Sequence, residues 1–223
     1  MTAPAISARR VGSEQRAVAV VDGFHPDPEA LRRFAVSQTF GPARNHYPGL
    51  RAPLPGDYFA QVRPALTTVL REVFGATASP KLIDASFSIV ATPAAALTLE
   101  QRLPHVDALQ PDRIALVHYL SPTHGGTGFF RHRATGFESI DEARRAGYFA
   151  VLNADLERER TRPGYIADSD ALFERTALID ARMNRAAIYA SAMLHSGAIT
   201  DATPDPNPAT GRLTVTAFLS IAR

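Results

Sequence analysis

The chain has 223 residues, of which 45% are hydrophobic, and its formal net charge is +2. This length suits one large domain or two small ones, and the hydrophobic fraction is that of an ordinary globular protein. There is no cysteine, which excludes disulfides, iron–sulfur clusters and cysteine nucleophiles, so any metal must bind to His, Asp or Glu. The arginines are scattered, so we expect no nucleic-acid binding. No stretch resembles a membrane span or a secretory signal, and we expect a cytoplasmic protein that does not bind membranes.

The first part of the chain predicts helices that support a sheet. Residues 1–16 are polar and small, and we expect them to form a flexible arm, with a single domain over residues 17–223. A short apolar run at residues 17–21 predicts a strand. Two helices are expected, one that begins at Asp27-Pro28 and one over residues 57–74, because both segments have apolar residues at helical spacing. The stretch between them, residues 41–56, is rich in Pro and Gly and predicts a loop.

From Lys81 onward the hydrophobic pattern changes to the alternation of β-strands. The predicted strands cover residues 83–91, 97–103, 114–120, 126–132, 172–179, 186–192 and 212–221, and a charged helical insertion covers residues 139–159. The expected fold is therefore mainly β, a distorted barrel or jelly roll with N-terminal helices packed on it.

A candidate metal site is carried by His105 and Asp107, which stand two residues apart just after an apolar run. Both side chains can turn toward one point on an extended or loop backbone. With a second His from elsewhere, for which His195 is the candidate, they form a two-His-one-carboxylate facial triad, which holds Fe(II) and leaves coordination positions open. A His-x-Asp pair alone is common by chance, so the order of the surrounding elements matters.

That order resembles the Fe(II)/2-oxoglutarate-dependent dioxygenases, in particular their prolyl-hydroxylase-like branch. The matching parts are the His-x-Asp motif, a hairpin over residues 118–129 that contains Tyr119-Leu120 and Gly125-Gly126, the distal His195 and a final strand that begins at Arg212. The resemblance covers roughly residues 81–223 and implies a double-stranded β-helix (cupin-like) domain. The segment Asn45–Gly49 also resembles an uncharacterised bacterial family related to these oxygenases.

The resemblance implies a role for several residues. His105, Asp107 and His195 would be the iron ligands and catalytic centre, and Arg212 would pair with the distal carboxylate of 2-oxoglutarate. The implied activity is hydroxylation by O2, coupled to conversion of 2-oxoglutarate into succinate and CO2. The carboxylate ligand favours hydroxylation or desaturation over halogenation, because related halogenases have a small residue at this position.

Other residues have weaker indications. Thr214 and Tyr119 could add hydroxyl groups around the co-substrate. The separation of His195 and Arg212, which is longer than the family usually shows, leaves Arg185 or Arg131 as alternative anchors. Candidate substrate contacts are Arg131, His132 and His46, and His118 is interpreted as structural.

Two other functions remain open from the sequence. One is a cupin-like metalloprotein, an isomerase or a dioxygenase, that does not use 2-oxoglutarate. The other is a non-catalytic binding protein on the same fold. The expected substrate is a small molecule, an amino acid or a peptide side chain, and neither its identity nor the oligomeric state follows from the sequence.

Overall fold

The computed structural model of the protein describes residues 3–43, 47–121, 125–159 and 163–223. Within these residues the fold is mainly β, with a large antiparallel sheet, a small one and four α-helices. The strands are β1 (Ala5–Val11), β2 (Arg16–Asp22), β3 (Gly41–Pro42), β4 (Gly49–Ala52), β5 (Lys81–Val90), β6 (Arg113–Tyr119), β7 (Gly126–His132), β8 (Phe173–Asp180), β9 (Arg185–Ala190), β10 (His195–Gly197) and β11 (Leu213–Ser220). The helices are α1 (Pro28–Val36), α2 (Tyr58–Glu72), α3 (Leu99–Arg102) and α4 (Glu142–Arg158).

The two sheets have different sizes and strand orders. The large sheet has the order β1-β2-β9-β6-β11-β5-β4-β3, and the small sheet has the order β10-β7-β8. A cluster of buried side chains from both sheets, which includes Tyr119, Phe129 and Tyr189, packs between them. One face of strands such as β6, β7 and β9 therefore lines this shared interior, close to the site described below.

Helices α1 and α2 cover the large sheet. The apolar positions that predicted them from the sequence, among them Leu31, Val62 and Val69, are buried in one cluster with strand residues such as Phe87 and Val215. Burying a side chain of this size stabilises the fold by roughly 1.5–3 kcal/mol. Asp27 caps α1, accepting a hydrogen bond from the backbone of Ala30, as the sequence predicts.

The prediction of a strand over residues 97–103 is wrong. The structure has a 3₁₀ helix at Ala94–Ala96 and the short helix α3 at Leu99–Arg102. Thr98 and Gln101 form a capping box, in which each side chain bonds to the backbone of the other, and this starts the helix. The loop predicted at residues 41–56 contains the short hairpin strands β3 and β4.

The N-terminal residues also differ from the expected flexible arm over residues 1–16. Ala5–Val11 form strand β1, which pairs along its whole length with β2 at the edge of the large sheet. All of its residues except Val11 are exposed, so the strand leaves no hydrophobic pattern in the sequence. Backbone pairing and the turn that follows the strand hold it in place.

That turn is held by a buried carboxylate of the chain's second half. Glu138 accepts hydrogen bonds from the backbone N–H and hydroxyl of Ser13, both at 2.9 Å, and from the backbone N–H of Glu14 at 2.9 Å. Gly12 is required beside it, because its φ is +66° and an added Cβ would lie 2.0 Å from Glu138 Oε2. The Glu14 carboxylate in return accepts hydrogen bonds from the backbone N–H of Glu138, at 3.0 Å, and from the side chains of Ser139 and Arg144.

This anchor predicts a loss of stability in acid. Burial alone would raise the pKa of Glu14, but the hydrogen bonds from Ser139, Glu138 and Arg144 outweigh it and lower the pKa from 4.5 to about 2. A carboxylate with a lowered folded-state pKa contributes stability above its unfolded pKa, and that contribution is lost as the pH falls. We expect the free energy of unfolding in urea to fall between pH 4.5 and about 2, and to fall less steeply in Glu14→Gln. Equal slopes for the two proteins would contradict this assignment.

Candidate functional site

The structure brings His105, Asp107 and His195 together, although His195 lies far from the other two in the chain. Each offers one ligand atom, and the three atoms lie within 4.8 Å of one another. His195 Nε2 is 3.3 Å from Asp107 Oδ2, and His105 Nε2 is 3.8 Å from Asp107 Oδ1. Both imidazoles therefore turn the same nitrogen toward one carboxylate, which is the arrangement that a shared metal ion requires.

Backbone hydrogen bonds set the positions of these residues. His105 and His195 form an antiparallel pair, in which each backbone N–H donates to the other's carbonyl at 2.9 Å. The backbone N–H of Asp107 donates to the carbonyl of Ser191, also at 2.9 Å. The protein itself thus holds the three side chains in register, so the site is built on rigid backbone pairing.

The ring orientations also suit metal binding. Nδ1 of His195 lies 2.9 Å from the carbonyl oxygen of Met193, and this carbonyl can only accept, so Nδ1 carries the proton and Nε2 has a free lone pair. The carbonyl of Leu103 makes the equivalent backbone contact with His105. In each case a carbonyl two residues earlier in the chain fixes the tautomer.

His105 lies at the open side of the group, with 52% of its side chain exposed, whereas His195 is buried. The rest of the ring packs against the protein. This partial desolvation and the neighbouring His195 lower the pKa of His105, and Asp107 opposes them. A metal requires the neutral imidazole, so a lowered pKa favours binding. The exposed edge of His105 marks the side from which solvent reaches the site.

Arg212 lies just before the last strand and beside the interior between the two sheets. One of its terminal nitrogens donates to the carbonyl of Gly126 at 2.9 Å, and its guanidinium lies 5.8 Å from the centre of the Tyr119 ring. Its Nε is buried without a hydrogen bond, and Arg212 forms no salt bridge within the described residues. The hydroxyl of Tyr47 near it is also buried without a hydrogen bond of regular geometry.

Thr214 and Tyr119, the predicted co-substrate contacts, are neighbours across β11 and β6 and are both buried. The Thr214 hydroxyl donates to the carbonyl of Ser88 at 3.2 Å, and the Tyr119 hydroxyl lies 2.7 Å from that of Thr127. Each hydroxyl already has a protein partner and retains acceptor or donor capacity for one more. They line the interior beside Arg212.

Two of the predicted substrate contacts, Arg131 and His132, lie beside carboxylates in the structure. Arg131 is held between two carboxylates, with Nε 2.9 Å from Glu138 and a terminal nitrogen 3.6 Å from Glu174. His132 is completely buried beneath α4 and lies 3.2 Å from a carboxylate oxygen of Asp155. His46 lies outside the described residues.

Arg185, the alternative residue for binding 2-oxoglutarate, is already paired with a carboxylate. Its Nε and one terminal nitrogen form a bidentate pair with Asp22, at 2.7 and 2.8 Å. Arg131 and Arg185 are thus both paired with carboxylates, and Arg212 remains as the arginine beside the interior that has no such partner.

Tyr189 is a site residue that the sequence interpretation missed. It lies on β9, and its ring meets that of His195 edge-on at 4.9 Å between centroids. The segment was predicted as a strand, and alternation along Arg185–Ala190 would have placed Tyr189 and Ala187 on one face. No residue type in the strand indicated which face lies toward the metal ligands.

The fold has structural relatives at low sequence identity. HygX from Streptomyces hygroscopicus, crystallised with nickel, 2-oxoglutarate and hygromycin B, is 13% identical with a TM-score of 0.49, covering 94% of this chain and 84% of that one. An N-substituted L-amino acid dioxygenase from Burkholderia ambifaria AMMD is 13% identical with a TM-score of 0.47, covering 99% and 95%. AviO1 from Streptomyces viridochromogenes Tue57 is 10% identical with a TM-score of 0.42, covering 97% and 89%.

Curated proteins and protein-family models give different results for this sequence. No curated protein matches the chain in sequence. None of the helices in the described ranges is long and apolar enough to cross a membrane. A family model matches residues 2–219, nearly the whole length, and the chain therefore belongs to the family of unknown function DUF6445.

Proposed function

We propose that this protein is a non-haem Fe(II)- and 2-oxoglutarate-dependent oxygenase that hydroxylates an unactivated carbon of a small molecule or an amino-acid side chain. The observation that carries the proposal is the meeting of His105, Asp107 and His195, whose ligand atoms lie within 4.8 Å of one another. Two imidazoles and one carboxylate form the donor set of non-haem Fe(II) oxygenases and leave coordination positions open.

We also propose that the fold is a double-stranded β-helix, and the strand order supports this. From β5 onward the chain passes repeatedly between the sheets: β5, β6, β9 and β11 lie in the large sheet, and β7, β8 and β10 lie in the small one. The bridge between His105 and His195 supplies a further position in the small sheet. Eight strand positions in two facing sheets are those of a jelly-roll domain.

The residues around Arg212 fit a dicarboxylic co-substrate. The guanidinium has no carboxylate partner within the described residues, and its Nε is buried without a hydrogen bond. Buried polar groups are rarely left unpaired, so donors of this kind indicate a ligand that completes them. The planar fork of an arginine binds a carboxylate through two parallel hydrogen bonds.

In this proposal the chain's own residues bind the metal and the co-substrate, orient them and shield them from water. His105, Asp107 and His195 would hold the iron, and Arg212 would hold the distal carboxylate of 2-oxoglutarate, with Thr214 beside it. Fe(II), O2 and 2-oxoglutarate together supply the oxidation, with release of succinate and CO2. The buried aromatic side chains between the sheets, such as Phe129 and Tyr189, exclude water from the interior.

Binding of 2-oxoglutarate tests the proposal without knowledge of the substrate. We expect protein loaded with Ni(II), which does not support turnover, to bind 2-oxoglutarate in isothermal titration calorimetry, and metal-free protein to bind it at least about tenfold more weakly. With Fe(II) and O2 we expect slow formation of succinate, which His105→Ala abolishes. Equal binding with and without metal, or equal succinate from wild type and His105→Ala, would contradict the proposal.

A further inference from the structure

The ring of Tyr189 is fixed on the inner side of β9 by two aromatic contacts. It meets the ring of His195 at 4.9 Å with an interplanar angle of 62°, and the ring of Phe129 at 5.0 Å with an angle of 86°. Both are edge-on contacts, which orient a ring as well as bury it. Tyr189 is 1% exposed, so its phenol has a defined direction in the interior.

The hydroxyl of Tyr189 differs from that of its neighbour Tyr119. The Tyr119 hydroxyl lies 2.7 Å from Thr127 Oγ1, whereas no residue in the described ranges forms a hydrogen bond with the hydroxyl of Tyr189. Buried tyrosines usually find a partner for this group. A ring that the protein orients so firmly, with a donor that the protein leaves free, is suited to binding a ligand.

Tyr189 lies near both parts of the candidate site. Its ring contacts His195, and it shares an interior cluster with Tyr119, whose ring centre is 5.8 Å from the Arg212 guanidinium. Burial raises the pKa of Tyr189, the Asp107 carboxylate and Tyr119 raise it further, and the Arg212 guanidinium lowers it. Asp107 belongs to the metal triad, and Arg212 is the arginine without a carboxylate partner. A molecule that reaches from the triad to Arg212 therefore lies against the cluster that contains Tyr189 and Tyr119.

We propose that Tyr189 is a co-substrate-binding residue, whose hydroxyl donates a hydrogen bond to a carboxylate oxygen of the 2-oxo acid that lies between the triad and Arg212. This inference rests on the proposed function and adds to it a residue from β9, next to the ring of His195. A merely structural Tyr189 would pack beneath His195 and leave its hydroxyl without a role.

Tyr189→Phe tests the role, because it removes the hydroxyl and keeps both ring contacts. We expect the dissociation constant of 2-oxoglutarate, measured by calorimetry on Ni(II)-loaded protein, to rise about tenfold to a hundredfold, as for loss of a hydrogen bond to a charged group. The dissociation constant of Ni(II), measured without 2-oxoglutarate, should stay within about threefold of the wild-type value, since the ring still supports His195.

The matched control is Tyr148→Phe, which removes the hydroxyl of another buried tyrosine, in the cluster beneath α4. It should leave both dissociation constants unchanged. Unchanged 2-oxoglutarate binding in Tyr189→Phe, or an equal loss of Ni(II) binding, would overturn the inference. If the Phe variant does not fold, crystals of the wild-type protein with Ni(II) and 2-oxoglutarate give a second test. The Tyr189 hydroxyl should then lie within hydrogen-bond distance of a 2-oxoglutarate carboxylate, and a longer distance would overturn the inference. Failure of the wild-type protein to bind 2-oxoglutarate would instead overturn the proposed function.

Discussion

Replacing His195 with alanine is expected to lower the affinity for Fe(II) or Ni(II) more than about 100-fold, because changes to groups that merely orient a ligand already cost 10–100-fold. The variant removes one of the three groups whose ligand atoms lie within 4.8 Å of one another. Turnover of 2-oxoglutarate to succinate should be lost with the metal. Calorimetric titration of the metal-free protein with Ni(II) measures the first effect.

His132→Ala is the matched control for this experiment. His132 is also a buried histidine beside a carboxylate, 3.2 Å from Asp155, but it lies beneath α4. The control should lower thermal stability, because it removes a fully buried side chain, and should bind Ni(II) like wild type. Metal binding that survives in His195→Ala, or that is lost equally in both variants, would contradict the role given to His195.

Arg212→Met is expected to weaken 2-oxoglutarate binding by roughly 30-fold or more, since truncating one partner of a buried charge pair costs about 2–5 kcal/mol. Its Ni(II) affinity should not change, because Arg212 is not among the triad residues. The ligand-free variant should be as stable as wild type, because Arg212 Nε is buried without a partner and its removal relieves that cost. Calorimetry and a thermal melt give the three values.

Arg185→Met is the control for Arg212→Met. Arg185 forms a bidentate pair with Asp22, at 2.7 and 2.8 Å, so its loss should lower stability by about 1.5–3 kcal/mol. Binding of 2-oxoglutarate should remain at the wild-type level. The opposite result, with Arg185→Met impaired in binding and Arg212→Met unaffected, would assign the anchor to Arg185.

Much of the candidate site could be predicted from the sequence because its parts are local signals in a fixed order. His105 and Asp107 stand two residues apart in the chain, and the strands that bring His195 to them alternate clearly. Tyr189 could not be found in this way, because its place depends on how β9 packs against β10 across the two sheets. Which residue of a strand lies toward a distant ligand is a tertiary property.

The fold was predictable where apolar residues repeat with a clear period. The long strands and α2 follow that period and are confirmed. The strand prediction for residues 97–103 failed because the alternation there is weak and the capping box of Thr98 and Gln101 decides the structure. Strand β1 was not predicted because an exposed edge strand needs no apolar pattern. It needs only a partner strand and the turn that Glu138 holds.

His118 is a buried histidine with a structural role, and it shows that residue type alone does not separate such histidines from metal ligands. It is fully buried, and its ring nitrogens lie 3.1 Å from the Tyr58 hydroxyl and 3.0 Å from the Asn184 side chain. This contact ties β6 to α2, on the side of the sheet away from the triad. Its structural interpretation agrees with these bonds, although nothing in the residue type separates it from His105.

The most direct measurement of the central claim is the anomalous scattering of crystals grown with Ni(II) and 2-oxoglutarate. The account predicts one strong nickel peak about 2.1 Å from Nε2 of His105, Nε2 of His195 and a carboxylate oxygen of Asp107. It also predicts density for 2-oxoglutarate that ends at the guanidinium of Arg212. Nickel bound elsewhere, or 2-oxoglutarate that does not contact Arg212, would contradict it.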